Sequence, residues 1–90
     1  MIISREIVIE NQKGLHARPS SAFVKVANLF DSKINVSTKE KFPVDGKSIM
    51  SLMTLAAGKG TALIIEINGD DAEEAIDAIH DLIRRKFNEV

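Results

Sequence analysis

The chain reads as an α+β domain, an antiparallel sheet with helices on one face. Three observations predict this. Apolar residues alternate in several short segments, they recur at three- and four-residue spacing in others, and the segments follow the order β-α-β-β-α-β-α. Ninety residues make one domain, 1–90, with no repeat, linker or low-complexity segment inside it. A chain of this size buries only about 60–65% of its unfolded surface, so two layers around one core are expected.

Residues 2–10 alternate as a strand, with Ile3, Ile7 and Ile9 on one face and Ser4, Glu6 and Glu10 on the other. Asn11-Gln12-Lys13-Gly14 is a polar turn ending in glycine. From His16 to Phe30, Pro19, Ala22, Phe23, Val26, Ala27 and Phe30 form one helical stripe, and Asp31-Ser32 closes it. Pro19 falls in the first turn, where a missing N–H costs nothing. Residues 33–38 predict a strand with Ile34 and Val36 inward, and Lys39-Glu40 a hairpin turn. A short strand over 41–45 follows, which Pro43 places at a sheet edge.

Ser48 can cap a short helix over 49–57, ended by Gly58-Lys59-Gly60. Residues 61–68 are the most apolar strand and therefore the central one. Asp70 and Glu73 suggest a capping box for the last helix, whose stripe runs Ala72, Ala75, Ile76, Ile79, Ile83, Phe87. Its acidic first turn and its basic end, Arg84-Arg85-Lys86, suit the helix dipole, so the basic run is not read as a binding patch.

Composition removes several function classes. There is no cysteine, so disulfides, thiolate chemistry and sulfur-ligated metals are excluded. A net charge of −1 leaves no electrostatic footprint for nucleic acid, and the only aromatics are four Phe. No apolar run approaches the roughly 20 residues of a membrane span, and the N-terminus is charged too early for a signal peptide. A cytoplasmic monomer that binds neither nucleic acid nor membrane directly is expected.

The stretch Gly14-Leu15-His16-Ala17-Arg18-Pro19 carries the chemistry. It sets a histidine where a helix begins, with an arginine two residues on. First-turn amides lack internal acceptors and carry the positive dipole end, so they attract an anion. Arg18 adds a charge-assisted contact to phosphate oxygens. Neutral imidazole keeps a lone pair near pH 7, so His16 can be the nucleophile that takes a phosphoryl group. His80 has no ligating neighbour at Ile76 or Arg84 and reads as a surface residue.

That motif resembles the active-site signature of the histidine-containing phosphocarrier protein (HPr) family of the bacterial phosphoenolpyruvate:sugar phosphotransferase system. Gly46-Lys47-Ser48-Ile49-Met50-Ser51-Leu52-Met53, continued by Leu55-Ala56-Ala57-Gly58-Lys59-Gly60, resembles the family's regulatory-serine signature. The resemblance covers the whole chain. It implies an open-faced β-sandwich, with a four-stranded antiparallel sheet in order 1-4-2-3 and three helices on one face. It implies that His16, assisted by Arg18, accepts a phosphoryl group on Nδ1 from phosphorylated enzyme I and passes it to a IIA domain of a sugar permease. The protein would then be a carrier with a covalent phosphohistidine intermediate rather than a free-standing enzyme. No metal or organic cofactor is implied.

Ser48 would be phosphorylated by HPr kinase/phosphorylase, with a transcription regulator as a further partner. Ala17, Ser21, Lys25, Ile49, Met50 and Met53 match the family's docking positions for enzyme I and IIA. A Met-bearing apolar patch supplies adaptable contacts there. Ser20, Ser51 and Lys41-Phe42-Pro43 depart from the common pattern, and Ser51 could alter partner preference. Two other readings stay open: a nitrogen-branch phosphocarrier with regulatory targets, and an interaction module gated by phosphorylation of Ser48. A small-molecule sensor lacks any glycine-rich ligand loop.

Overall fold

The computed structural model describes residues 1–89. The elements follow the order set by the periodicities: β1 (Ile2–Val8), α1 (Ala17–Ala27), β2 (Lys33–Ser37), β3 (Val44–Asp45), α2 (Ile49–Met53), β4 (Ala62–Asn68) and α3 (Ala72–Arg84). The sheet order is β1-β4-β2-β3, with every neighbouring pair antiparallel. The most apolar strand, β4, is central, as its composition requires.

Register places Leu63, Ile65 and Ile67 of β4 beside Ile7 of β1 and Val36 and Ile34 of β2 on one face. All six are buried. The helices cover this face with Phe23 and Ala27 from α1, Leu52 from α2, and Ala75, Ile76, Ile79 and Ile83 from α3. Each large side chain so buried contributes about 1.5–3 kcal/mol relative to exposure. The opposite face carries exposed Glu66 and Asn68, the polar half of the alternation.

Several boundaries differ from expectation, each for a physical reason. The strand expected over 41–45 narrows to Val44–Asp45, with Lys41, Phe42 and Pro43 exposed. Pro43 cannot donate to the ladder, so pairing with β2 begins only after it. α1 ends at Ala27 rather than Phe30, leaving Leu29 exposed. α2 stops at Met53 instead of reaching Ala57, and Ala56 takes a left-handed φ of 49°. That reversal lets Leu55 and Ala57 both reach the core.

α3 ends at Arg84 rather than continuing to Phe87. Lys86, Phe87 and Asn88 form a left-handed turn with φ of 56°, 57° and 61°. Burial of the Phe87 side chain offsets the cost of holding three L-residues there.

The expected Asp70–Glu73 capping box is also replaced. Asp71 occupies the N-cap position and makes no capping bond to its own helix. Its carboxylate instead accepts from the Asp31 amide at 2.9 Å, the Ser32 amide at 3.0 Å and the Ser32 hydroxyl. This ties the start of α3 to the α1–β2 turn. The Ser32 hydroxyl, followed by the Asp31 amide, holds the Asp71 carboxyl below its ordinary value of 3.8. A lowered folded value means the stabilisation is present above pH 3.8 and fades as pH falls through the folded pKa. Asp71→Asn is therefore expected to flatten the loss of stability between about pH 5 and pH 2. Urea denaturation across that range checks this, and an acid limb identical to the parent's contradicts it.

Candidate functional site

The site is built by the loop that joins β1 to α1. Gly14 has φ 66°, and a Cβ there would collide with the Ala57 carbonyl oxygen. Only glycine lets the loop press so closely on the end of the α2–β4 connection. Leu15 then donates its amide to that same Ala57 carbonyl at 2.9 Å and buries its side chain. Buried Ser20, one of the departures noted above, donates its hydroxyl to the Leu15 carbonyl at 3.3 Å. The loop is thus held from both sides before it reaches His16.

His16 is the N-cap residue of α1, with extended backbone (φ −80°, ψ −169°) and no capping bond from its ring. Its carbonyl accepts the first helical hydrogen bond, from Ser20 at 3.0 Å. The amides of Ala17 and Arg18 are therefore first-turn donors without an intrahelical acceptor. The ring is 36% exposed, and its Nε2 lies 3.1 Å from Glu89 Oε2. Nδ1 has no hydrogen-bond partner among the described residues.

An open cleft of about 710 Å³ surrounds the ring. Lys13, Arg18, Lys59 and Lys86 line it, against the carboxylates of Glu10 and Glu89. Four cations against two anions make the cleft attractive to an anionic group. Arg18 is exposed and makes no side-chain hydrogen bond among the described residues, so its guanidinium is free to meet an incoming anion.

Three of these residues escaped the sequence reading. Glu89 reaches His16 only because the left-handed turn over 86–88 redirects the chain, and a run without glycine signals no such turn. Asn11, 2% exposed, donates its Nδ2 to the Gly14 carbonyl at 2.9 Å and to Glu89 Oε1 at 3.0 Å. Lys86 lies beyond the end of α3 and faces the cleft, so it is not simply a dipole complement; Arg84 and Arg85 pair with Asp81 at 3.0 and 2.8 Å. His80 is exposed, as expected.

The second motif forms α2. Ser48 is its N-cap, its hydroxyl oxygen accepting from the Ser51 amide at 3.2 Å. Leu52 is the buried anchor, whereas Ile49, Met50 and Met53 are 38%, 80% and 43% exposed. Ala17, Ser21 and Lys25 recur every four residues along one side of α1, and α1 packs against α2.

The sheet order and its single layer of helices define an open-faced β-sandwich, and the open histidine sits at its α1 end. A family signature described as the PTS HPr component phosphorylation site matches residues 3–85. The phosphocarrier protein HPr of Pseudomonas aeruginosa is 45% identical over 84 residues, 93% of each chain. That of Neisseria meningitidis serogroup A is 47% identical over 88 residues, 98% of each. The crystal structure of HPr-C-His from Thermoanaerobacter tengcongensis superposes with a TM-score of 0.91 at 44% identity, covering 98% of both chains. The chain belongs to the HPr family, the phosphocarrier proteins of the phosphotransferase system. Among the described residues no helix is long and apolar enough to cross a membrane.

Two substitutions test this construction. Gly14→Ala is expected to cost more than about 2 kcal/mol, because the added methyl meets backbone in a conformation that disfavours it. Thermal unfolding checks this, and a change below the error of the measurement contradicts the docking of the loop. Ser48→Ala is expected to cost about 1 kcal/mol through loss of the cap, read from chemical denaturation; a neutral change argues against that bond.

Proposed function

We propose that this chain carries a phosphoryl group on His16 Nδ1, received from phosphorylated enzyme I and delivered to a IIA domain of a sugar permease. The supporting observation is the ring itself. It stands at a helix start with Nε2 engaged by Glu89 and Nδ1 left without a protein partner among the described residues. A phosphate on that nitrogen is met by the first-turn amides of Ala17 and Arg18 and by the Arg18 guanidinium.

Phosphoryl transfer has a loose transition state, so positioning and charge stabilisation are what the carrier must supply. Arg18 and the amides act at a half-exposed site, which keeps their hold modest. That suits a group that must leave again.

The docking surface of this reading is Ala17, Ser21 and Lys25 of α1 with Ile49, Met50 and Met53 of α2. Exposed methionines adapt to more than one partner, and Lys25 favours an acidic one. The reading also takes residues 1–90 as a single phosphocarrier domain working in the cytoplasm. Ser48 is the regulatory site, modified by an HPr kinase/phosphorylase. Its oxygen already accepts from a helix amide, so a phosphate there stabilises the cap while placing negative charge beside the docking surface.

With phosphoenolpyruvate and enzyme I, the parent is expected to gain acid-labile phosphate and His16→Ala none. A phosphoprotein formed by His16→Ala overturns the assignment of the carrier residue.

A further inference from the structure

The phosphocarrier reading leaves one buried polar arrangement unused. Glu89 lies beyond residues 3–85, the span that matches the family signature, yet both of its carboxylate oxygens are engaged, one of them at the His16 ring. Oε1 accepts from Asn11 Nδ2 at 3.0 Å, and Oε2 faces His16 Nε2 at 3.1 Å. Asn11 is itself fixed, being buried and bonded to the Gly14 carbonyl at 2.9 Å. The left-handed turn over 86–88, anchored by buried Phe87, is what delivers the carboxylate to this place. Glu89 is thus held by a buried amide on one side and presented to the imidazole on the other.

We propose that Glu89 is a positioning residue for phosphoryl transfer at His16, an inference that rests on the carrier function proposed above. A carboxylate only accepts, so a contact at this distance places the ring proton on Nε2. Nδ1 is then the nitrogen with the free lone pair. In the transfer step that pair forms the N–P bond while the bond from phosphorus to the donor breaks, its electrons returning to the donor. The ring becomes a cation that keeps its Nε2 proton, and the Glu89 carboxylate stabilises it across that hydrogen bond. Delivery reverses the step: the N–P electrons return to Nδ1 and the neutral ring is restored. No proton is moved in either direction. Other charges face the same cleft, namely Glu10, Lys13, Arg18, Lys59 and Lys86. None of them makes a recorded hydrogen bond to the ring, so Glu89 alone selects the tautomer among the described residues.

The test compares the parent with Glu89→Ala and Glu89→Gln. Long-range ¹H–¹⁵N spectra of the His16 ring are recorded at about pH 8, where an unperturbed imidazole is neutral. Transfer rates from phosphorylated enzyme I are measured alongside. The parent is expected to show one tautomer, with the proton on Nε2. Glu89→Gln has one acceptor oxygen for two donors, Asn11 Nδ2 and His16 Nε2, and is expected to weaken the preference for that tautomer while transferring more slowly than the parent. Glu89→Ala is expected to show mixed tautomers and to accept the phosphoryl group about tenfold more slowly, the scale of one charge-assisted hydrogen bond.

A merely structural role for Glu89 would leave the tautomer unmoved. Parent-like ring shifts in Glu89→Ala, or parent-like rates in both variants, overturn the inference. Should the parent itself accept no phosphoryl group, the carrier reading falls, while the ring spectra still decide whether Glu89 governs the tautomer.

Discussion

The close seating of Gly14 and Leu15 on the Ala57 carbonyl is the contact from which the site follows. One hydrogen bond of 2.9 Å and one left-handed glycine fix where the first helix can start. They also join the two motifs, because the loop before α1 is braced by the segment that follows α2. His16 is consequently held by residues distant in sequence, although its own side chain stays half in solvent. Moving that seat would displace the ring and the first-turn amides together.

Electrostatics at the site favour capture without permanent retention. Four cations bias the cleft toward anions, but the cleft is open and Ala17 and Arg18 are exposed, so the attraction is softened by water. A deep, dry pocket would bind a phosphoryl group more firmly and release it slowly. The exposed Ile49, Met50 and Met53 on the adjoining helix suit the same economy. In the function proposed above, they leave apolar contact to be made by a partner, which would exclude water at the moment of transfer.

Much of this was legible in the residues. The apolar character of 61–68 located the central strand, the spacing of Phe23 and Ala27 located the buried side of α1, and Ser48 was recognisable as a cap. His16 stood out because histidine, arginine and proline crowd a helix start. What stayed hidden depended on backbone that the residue types do not announce. Lys86, Phe87 and Asn88 turn left-handed without a glycine, so neither the early end of α3 nor the reach of Glu89 could be read. Asp71 was passed over for the neighbouring capping pattern because its partners, Asp31 and Ser32, come from a distant turn. The shortness of α2 follows from Ala56 reversing the chain to bury Leu55 and Ala57, a tertiary choice that overrides local helix propensity.

The whole account stands on which imidazole nitrogen is left open at the start of α1. The most direct measurement is a ¹⁵N spectrum of the histidine-labelled protein after phosphorylation, resolving coupling between phosphorus and each ring nitrogen of residue 16. Coupling to Nδ1, with Nε2 still carrying its proton, is the expected outcome. Coupling to Nε2, or phosphate found on another residue while His16 stays unmodified, would contradict the arrangement described.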